Sequence, residues 1–178
     1  MSRVDSNYER KPNDAYQTPA WVVEALLPHL PDPTHKIWEP ACGEGNIVRV
    51  LADAGYSVYA SDIIDGEDFF EAKTAHDCTG IVTNPPYENA AVFIQRAIDI
   101  MMIRNGFVCM LLPSDFSYAK SRRNLFGDSR IFKKKIELTK RIVWIEREDG
   151  KLAAPSENHC WCIWDWRYPG GASLAWAP

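Results

Sequence analysis

The chain has no apolar run approaching the ~20 residues that cross a bilayer, and its opening Met1-Ser2-Arg3-Val4-Asp5 lacks the apolar stretch of a signal peptide. Internal repeats and low-complexity stretches are missing as well. There is no Gly-Lys-Ser/Thr phosphate loop, and Val48 stands where a dinucleotide fingerprint would place its third glycine. Phosphate cradling is therefore not expected, while an adenosine-type ligand without phosphates stays open. Cysteine is scarce and odd in number, at 42, 78, 109, 160 and 162, mostly in apolar contexts. Reduced thiols in a cytoplasmic protein, with no membrane partner, are the expectation. His159-Cys160-x-Cys162 offers ligand types, but strand alternation and the lack of a second cluster argue against a metal site.

What is present fits one soluble domain. The 178 residues suffice for a sizeable core, and 46% hydrophobic with 25% charged residues is a globular composition. The net charge of −4 argues against a blanket nucleic-acid binder. Its distribution is uneven, because residues 114–141 hold nine Lys/Arg against three acids, a local +6 on a body of −10. Such a segment could meet phosphates through Lys120, Arg122 and Arg123, although Lys/Arg runs are usually solvated surface.

Asn84-Pro85-Pro86-Tyr87 stands out. The apolar, β-branched Gly80-Ile81-Val82-Thr83 before it reads as a buried strand, and two prolines stop the ladder and stiffen the exit. A polar amide, rigid carbonyls and an aromatic ring at a strand end suit a site better than a core, though Asn-Pro alone would be an ordinary turn. Upstream, Lys36-Ile37-Trp38 reads as a strand entering Glu39-Pro40-Ala41-Cys42-Gly43-Glu44-Gly45, followed by a helix over 47–54. Gly43 and Gly45 permit a tight turn that a ligand can approach, or a turn and nothing more. A second strand over 56–62 ends on Asp62, placed either to accept hydrogen bonds from a ribose or as a solvated turn acid. The interval from Asp62 to Asn84 is too short for a full helix-strand-helix, so the sheet is expected to be abbreviated there.

Thr18 and Pro19 are expected to cap a helix over 20–27. A helix from Ala90 ends at Asn105-Gly106, and Phe107–Leu112 forms a central strand stopped by Pro113. Two final strands are expected at 141–146 and 159–165. Residues 1–14 read as a loose arm and 15–178 as one domain with a basic insert at 114–141.

Tyr16-Gln17-Thr18-Pro19, Glu39-Pro40-Ala41-Cys42-Gly43-Glu44-Gly45, Asp62, Asp68-Phe69-Phe70 and Asn84-Pro85-Pro86-Tyr87 together resemble the S-adenosylmethionine-dependent amino-methyltransferases, most of all those acting on adenine N6 in DNA. The resemblance covers roughly residues 15–115. It implies a Rossmann-like class I methyltransferase fold: an α/β three-layer sandwich whose sheet is mostly parallel with an antiparallel strand near the C-terminus. It implies S-adenosylmethionine as cofactor, with Tyr16, Thr18 and Pro19 lining its methionine end and Glu39, Ala41, Gly43 and Gly45 wrapping methionine and ribose. Asp62 would hold the ribose hydroxyls, and Asp68 with Phe69 the adenine. Asn84, Pro85, Pro86 and Tyr87 would form the catalytic clamp on the target amine. DNA is the expected partner; with no separate recognition domain, segments 114–141 and 147–158, or a partner subunit or oligomer, would supply target recognition. Methylation of RNA or of a protein glutamine amide, and a cofactor-binding module without turnover, are the alternatives.

Overall fold

Strand β1 (Ile37–Glu39) is buried along its whole length and lies between β2 (Val58–Ala60) and β3 (Gly80–Thr83), parallel to both. Beyond β3 comes β4 (Phe107–Pro113), again parallel. β6 (His159–Asp165) runs antiparallel between β4 and β5 (Phe132–Glu137), and β7 (Ser173–Trp176) ends the row parallel to β5. The order is β2-β1-β3-β4-β6-β5-β7. The computed structural model describes residues 17–144, 157–168 and 170–177. Among them no helix is long and apolar enough to cross a membrane.

Alternation along the strands divides the core between two faces. Val108, Met110 and Leu112 of β4 meet α3 (Ala90–Arg104) through Phe93, Ile94 and Met101. Phe107, Cys109 and Leu111 point the other way, with Val22 and Val23 of α1 (Ala20–Glu24) and Ile47 and Leu51 of α2 (Asn46–Asp53). Both faces of a mostly parallel sheet are thus covered, as such sheets require. The chain leaves β1 to one side for β2 and comes back on the other side as β3. Ligands of open α/β sheets bind at the carboxyl ends of strands where the order reverses in this way. Between β2 and β3 lies only a one-turn 3-10 helix, Ile63–Asp65, so the sheet is abbreviated where the short interval predicts. α3 ends at Asn105, in the left-handed region at φ 49°, as the Asn-Gly pair predicts.

Several expectations fail. Strand β5, Phe132–Glu137, lies within the basic stretch 114–141, where no strand is expected. Three consecutive lysines hid the strand, yet Phe132 and Ile136 are buried while the long lysine stems carry their charges to the margins. Lys133 pairs with Asp165 at 3.1 Å and Lys135 with Glu137 at 2.6 Å, so these two of the nine positive charges of this stretch are paired within the fold. Residues 141–144, the described part of the strand expected over 141–146, are not strand; 145–146 lie outside the described residues. β7 was not expected at all. α1 is shorter than 20–27 and its N-cap position is Pro19, with no side-chain cap; buried Thr18 does not serve as one. The arm 1–14 lies outside the described residues.

At the opposite end of the sheet, level with the start of β4, Asp165 accepts from Lys133 Nζ at 3.1 Å and from Arg167 Nε at 2.9 Å. Burial alone would raise its carboxyl pKa, but the hydrogen bonds from Arg167 and Lys133 outweigh burial and lower it below the ordinary value. Its stabilisation is therefore complete above the unfolded pKa of about 3.9 and is lost as pH falls through the lower folded value. Asp165→Ala should cost about 3 kcal/mol at pH 7 by stranding two cations. Urea unfolding of variant and wild type at pH 7 and pH 3 checks this, since the difference should shrink at the acid end.

Candidate functional site

The turn after β1 is tied to the end of β2. Gly43 N donates to Asp62 Oδ2 at 2.8 Å, and Ile64 N to Asp62 Oδ1 at 3.0 Å. The main chain adds Cys42 N to Ser61 O at 3.1 Å and Ser61 N to Glu39 O at 3.0 Å. Gly43 and Gly45 both take positive φ, 50° and 80°, which a side chain would strain. A Cβ on Gly43 would also lie 2.7 Å from Gln17 Nε2. Gln17 Oε1 accepts from Glu44 N at 3.2 Å, which ties the segment before α1 to this turn. Gln17 itself was missed; its place inside the quartet with Thr18 and Pro19 was the available signal. Tyr16 lies outside the described residues.

Glu39 is fully buried at the end of β1, where Ala41 N donates to its Oε1 at 3.0 Å. Burial pushes its pKa up to about 8; the Thr83 hydroxyl and the Ala41 amide oppose this, and Asp62 adds to it. Thr83 is close enough to favour the charged form, yet neither Glu39 Oε2 nor Thr83 Oγ1 completes a hydrogen bond of normal geometry among the described residues. Asn84 follows Thr83 directly, and its Oδ1 is likewise buried without a partner among the described residues. A buried polar atom left unpaired costs about 1–3 kcal/mol. Glu39 and Thr83 meet where β1 and β3 end side by side and Asn84 follows directly, so buried polar atoms gather at these strand ends.

Asp68 and Phe69 are not alike. Asp68 Oδ1 accepts from Phe70 N at 2.8 Å and so shapes its own turn. Phe69 is a core residue, stacked on Phe93 at 4.3 Å and edge-on to Trp38 at 5.2 Å. Both nonetheless line a cavity of about 210 Å³, with Trp38, Ser61 and His76, beside the end of β2. Ile63 and Ile64, exposed by 59% and 71%, follow Asp62 and offer apolar surface next to it. Sequence reasoning missed them because isolated apolar residues in a turn carry no periodicity.

Pro85 is buried and Tyr87 half-buried, its ring 5.7 Å from that of His159. Lys120, Arg122 and Arg123 lie on a 3-10 helix, Lys120–Leu125. Arg122 stacks 3.8 Å over Phe116 and donates to its carbonyl, and Arg123 pairs with Asp128 at 2.8 Å. Lys120 is exposed. Cys160 and Cys162 share one strand face, with sulfurs 3.7 Å apart, while His159 points to the other.

No protein-family model matches the chain, and no curated protein matches it in sequence. Solved structures match in fold. A modification subunit of a proposed type I restriction enzyme from Vibrio vulnificus YJ016 is 13% identical with a TM-score of 0.60, over 90% of this chain and 46% of that one. A proposed RNA methyltransferase from Pyrococcus horikoshii is 14% identical with a TM-score of 0.61, over 84% and 85%. The 23S rRNA methyltransferase ErmE is 16% identical with a TM-score of 0.55, over 86% and 70%. The chain spans just under half the length of the restriction-enzyme subunits it matches.

Proposed function

The fold is the Rossmann-like class I methyltransferase arrangement, and from it we propose that the chain transfers a methyl group from S-adenosylmethionine to the exocyclic N6 of adenine in DNA. One observation carries this: Asn84 Oδ1 is buried without a partner among the described residues, just past the end of β3 and one residue beyond Thr83. The residues fit the cofactor. Gln17, Thr18 and Pro19 with the Glu39–Gly45 turn would hold its methionine, Asp62 its ribose hydroxyls, and Asp68 with the cavity its adenine. When bound, the cofactor supplies an electrophilic methyl group on a sulfonium.

An exocyclic aromatic amine is a poor nucleophile because its lone pair is delocalised into the ring. Asn84 Oδ1 and the Pro85 carbonyl, stiffened by Pro86, would accept both amine protons and aim the lone pair. Tyr87 would stack on the base, which must leave the duplex at a cost of a few kcal/mol. Lys120 and neighbouring cations would contact phosphates and position the strand without reading sequence.

The buried Glu39 makes cofactor affinity depend on pH. Its pKa near 8 keeps it protonated at neutral pH, and a cationic ligand beside it would favour the carboxylate. Affinity should therefore rise between pH 6 and 7.5 in the wild type and stay nearly flat in Glu39→Gln, as titration calorimetry would report.

RNA is the second reading, favoured by the fold match that spans 85% of a proposed RNA methyltransferase. Incubating the protein with labelled cofactor and either DNA or RNA, then separating nucleosides by mass spectrometry, decides between them. N6-methyldeoxyadenosine supports the first reading, and a methylated ribonucleoside alone replaces it.

A further inference from the structure

His159 takes no part in the chemistry described so far. As the first residue of antiparallel β6 it pairs with Pro113, the last of β4, and so stands on the same edge of the sheet as Asn84. Its ring lies between two aromatics. Tyr87 of the clamp is 5.7 Å away and tilted by 35°, and Trp144 is 5.3 Å away and nearly perpendicular at 79°. The side chain is 2% exposed; the Glu157 main chain lies near enough to one ring nitrogen to favour the protonated form, yet neither nitrogen completes a hydrogen bond of normal geometry among the described residues. A buried polar ring without well-formed hydrogen bonds bears much of its desolvation cost. A phenyl ring would pack between Tyr87 and Trp144 without that cost, so packing does not account for an imidazole.

We propose that His159 is a specificity-determining residue of the methyl transfer, its ring edge hydrogen-bonding a ring nitrogen that flanks the target amine. The inference rests on the nucleic-acid reading of the Asn84 site. Burial lowers the pKa of His159 to about 4, against the opposing influence of the Glu157 main chain and Asp115, so the ring is neutral. A neutral imidazole carries one N–H donor and one acceptor. Once the Asn84 and Pro85 carbonyls hold the two protons of the amine, the adenine acceptors left beside it are N1 and N7. N1 has just lost its duplex partner. A donated N–H from His159 replaces that bond, and it rejects guanine or thymine, which carry a hydrogen at the corresponding ring position and would leave two donors facing each other.

The test uses random-sequence duplex pools in which every adenine is kept, or replaced by 1-deazaadenine or by 7-deazaadenine. Wild type should lose about 10–100-fold in kcat/KM on the 1-deazaadenine pool and keep its adenine rate on the 7-deazaadenine pool, and a loss confined to the 7-deazaadenine pool would overturn the inference. His159→Phe should lose a similar factor on the adenine pool, mostly through KM, with its cofactor Kd unchanged, and should lose nothing further on the 1-deazaadenine pool. His159→Gln, which keeps a neutral donor, should recover part of the activity. Equal wild-type rates on all three pools would overturn the inference, and this arm needs no variant to fold. A His159→Phe variant within twofold of wild type on adenine would overturn it as well. A wild type that binds cofactor but methylates neither DNA nor RNA overturns the functional reading and this inference together, whereas the other overturning results leave the functional reading intact.

Discussion

Asn84→Ala should lower methyl transfer by about 10²–10³-fold or more, the loss seen when a preorganised polar group aimed at a reacting centre is removed. Cofactor affinity should stay within about threefold, because in the proposed site Asn84 faces the target amine while the turn in which Glu39 and Asp62 hold the Ala41 and Gly43 amides carries the cofactor. Deleting the side chain also removes a buried, unpaired acceptor, so the fold should not suffer. Asn84→Asp keeps an acceptor oxygen in the same place and should retain part of the rate. Calorimetry with the cofactor beside a turnover assay separates binding from chemistry. An Asn84→Ala enzyme of wild-type rate would remove the clamp from the account.

The second large effect concerns Asp62. Its carboxylate already holds the Gly43 and Ile64 amides, and each oxygen keeps a lone pair for a ribose hydroxyl. Asp62→Ala would break the tie between the glycine turn and β2 and remove two charge-assisted bonds to the ligand. A loss of about 2–3 kcal/mol, roughly 30–150-fold in Kd, is expected. Asp62→Asn, which still accepts one hydrogen bond, should fall between. A Kd for Asp62→Ala within threefold of wild type would show that the ribose is held elsewhere.

How much of this was legible in the residues varied along the chain. Strand ends marked by a sharp chemical change were readable: Thr83 into Asn84-Pro85, Leu112 into Pro113, and Trp38 into the glycine turn all fall within a residue or two of the strand ends. The abbreviated interval before β3 followed from length alone. β5 was not readable, because Lys133-Lys134-Lys135 breaks the alternation that reports a half-buried strand, and the partners that neutralise it, Asp165 and Glu137, are set by tertiary structure. The split between Asp68 and Phe69 was hidden for a similar reason. Adjacent in sequence, one shapes a turn and the other sits between Trp38 and Phe93. In the sequence His159 stands out only as a ligand type beside Cys160 and Cys162, while its ring contacts come from Tyr87 and Trp144, distant in sequence.

Arg122 and Arg123 show that charge counted along a sequence overstates charge offered to a partner. Stacking on Phe116 and pairing with Asp128 occupy both guanidinium groups. Phosphate contacts in the proposed complex would then fall more on Lys120 and on side chains that can release a surface pair cheaply.

The central claim is that the Asn84 clamp methylates adenine in DNA. Its most direct test is single-molecule methylome sequencing of DNA from cells expressing the protein, beside cells expressing Asn84→Ala at the same level. The account predicts N6-methyladenine at a recurring sequence context in the first culture and its absence in the second. Identical methylomes in the two cultures, with the wild-type protein folded and binding cofactor, would contradict it.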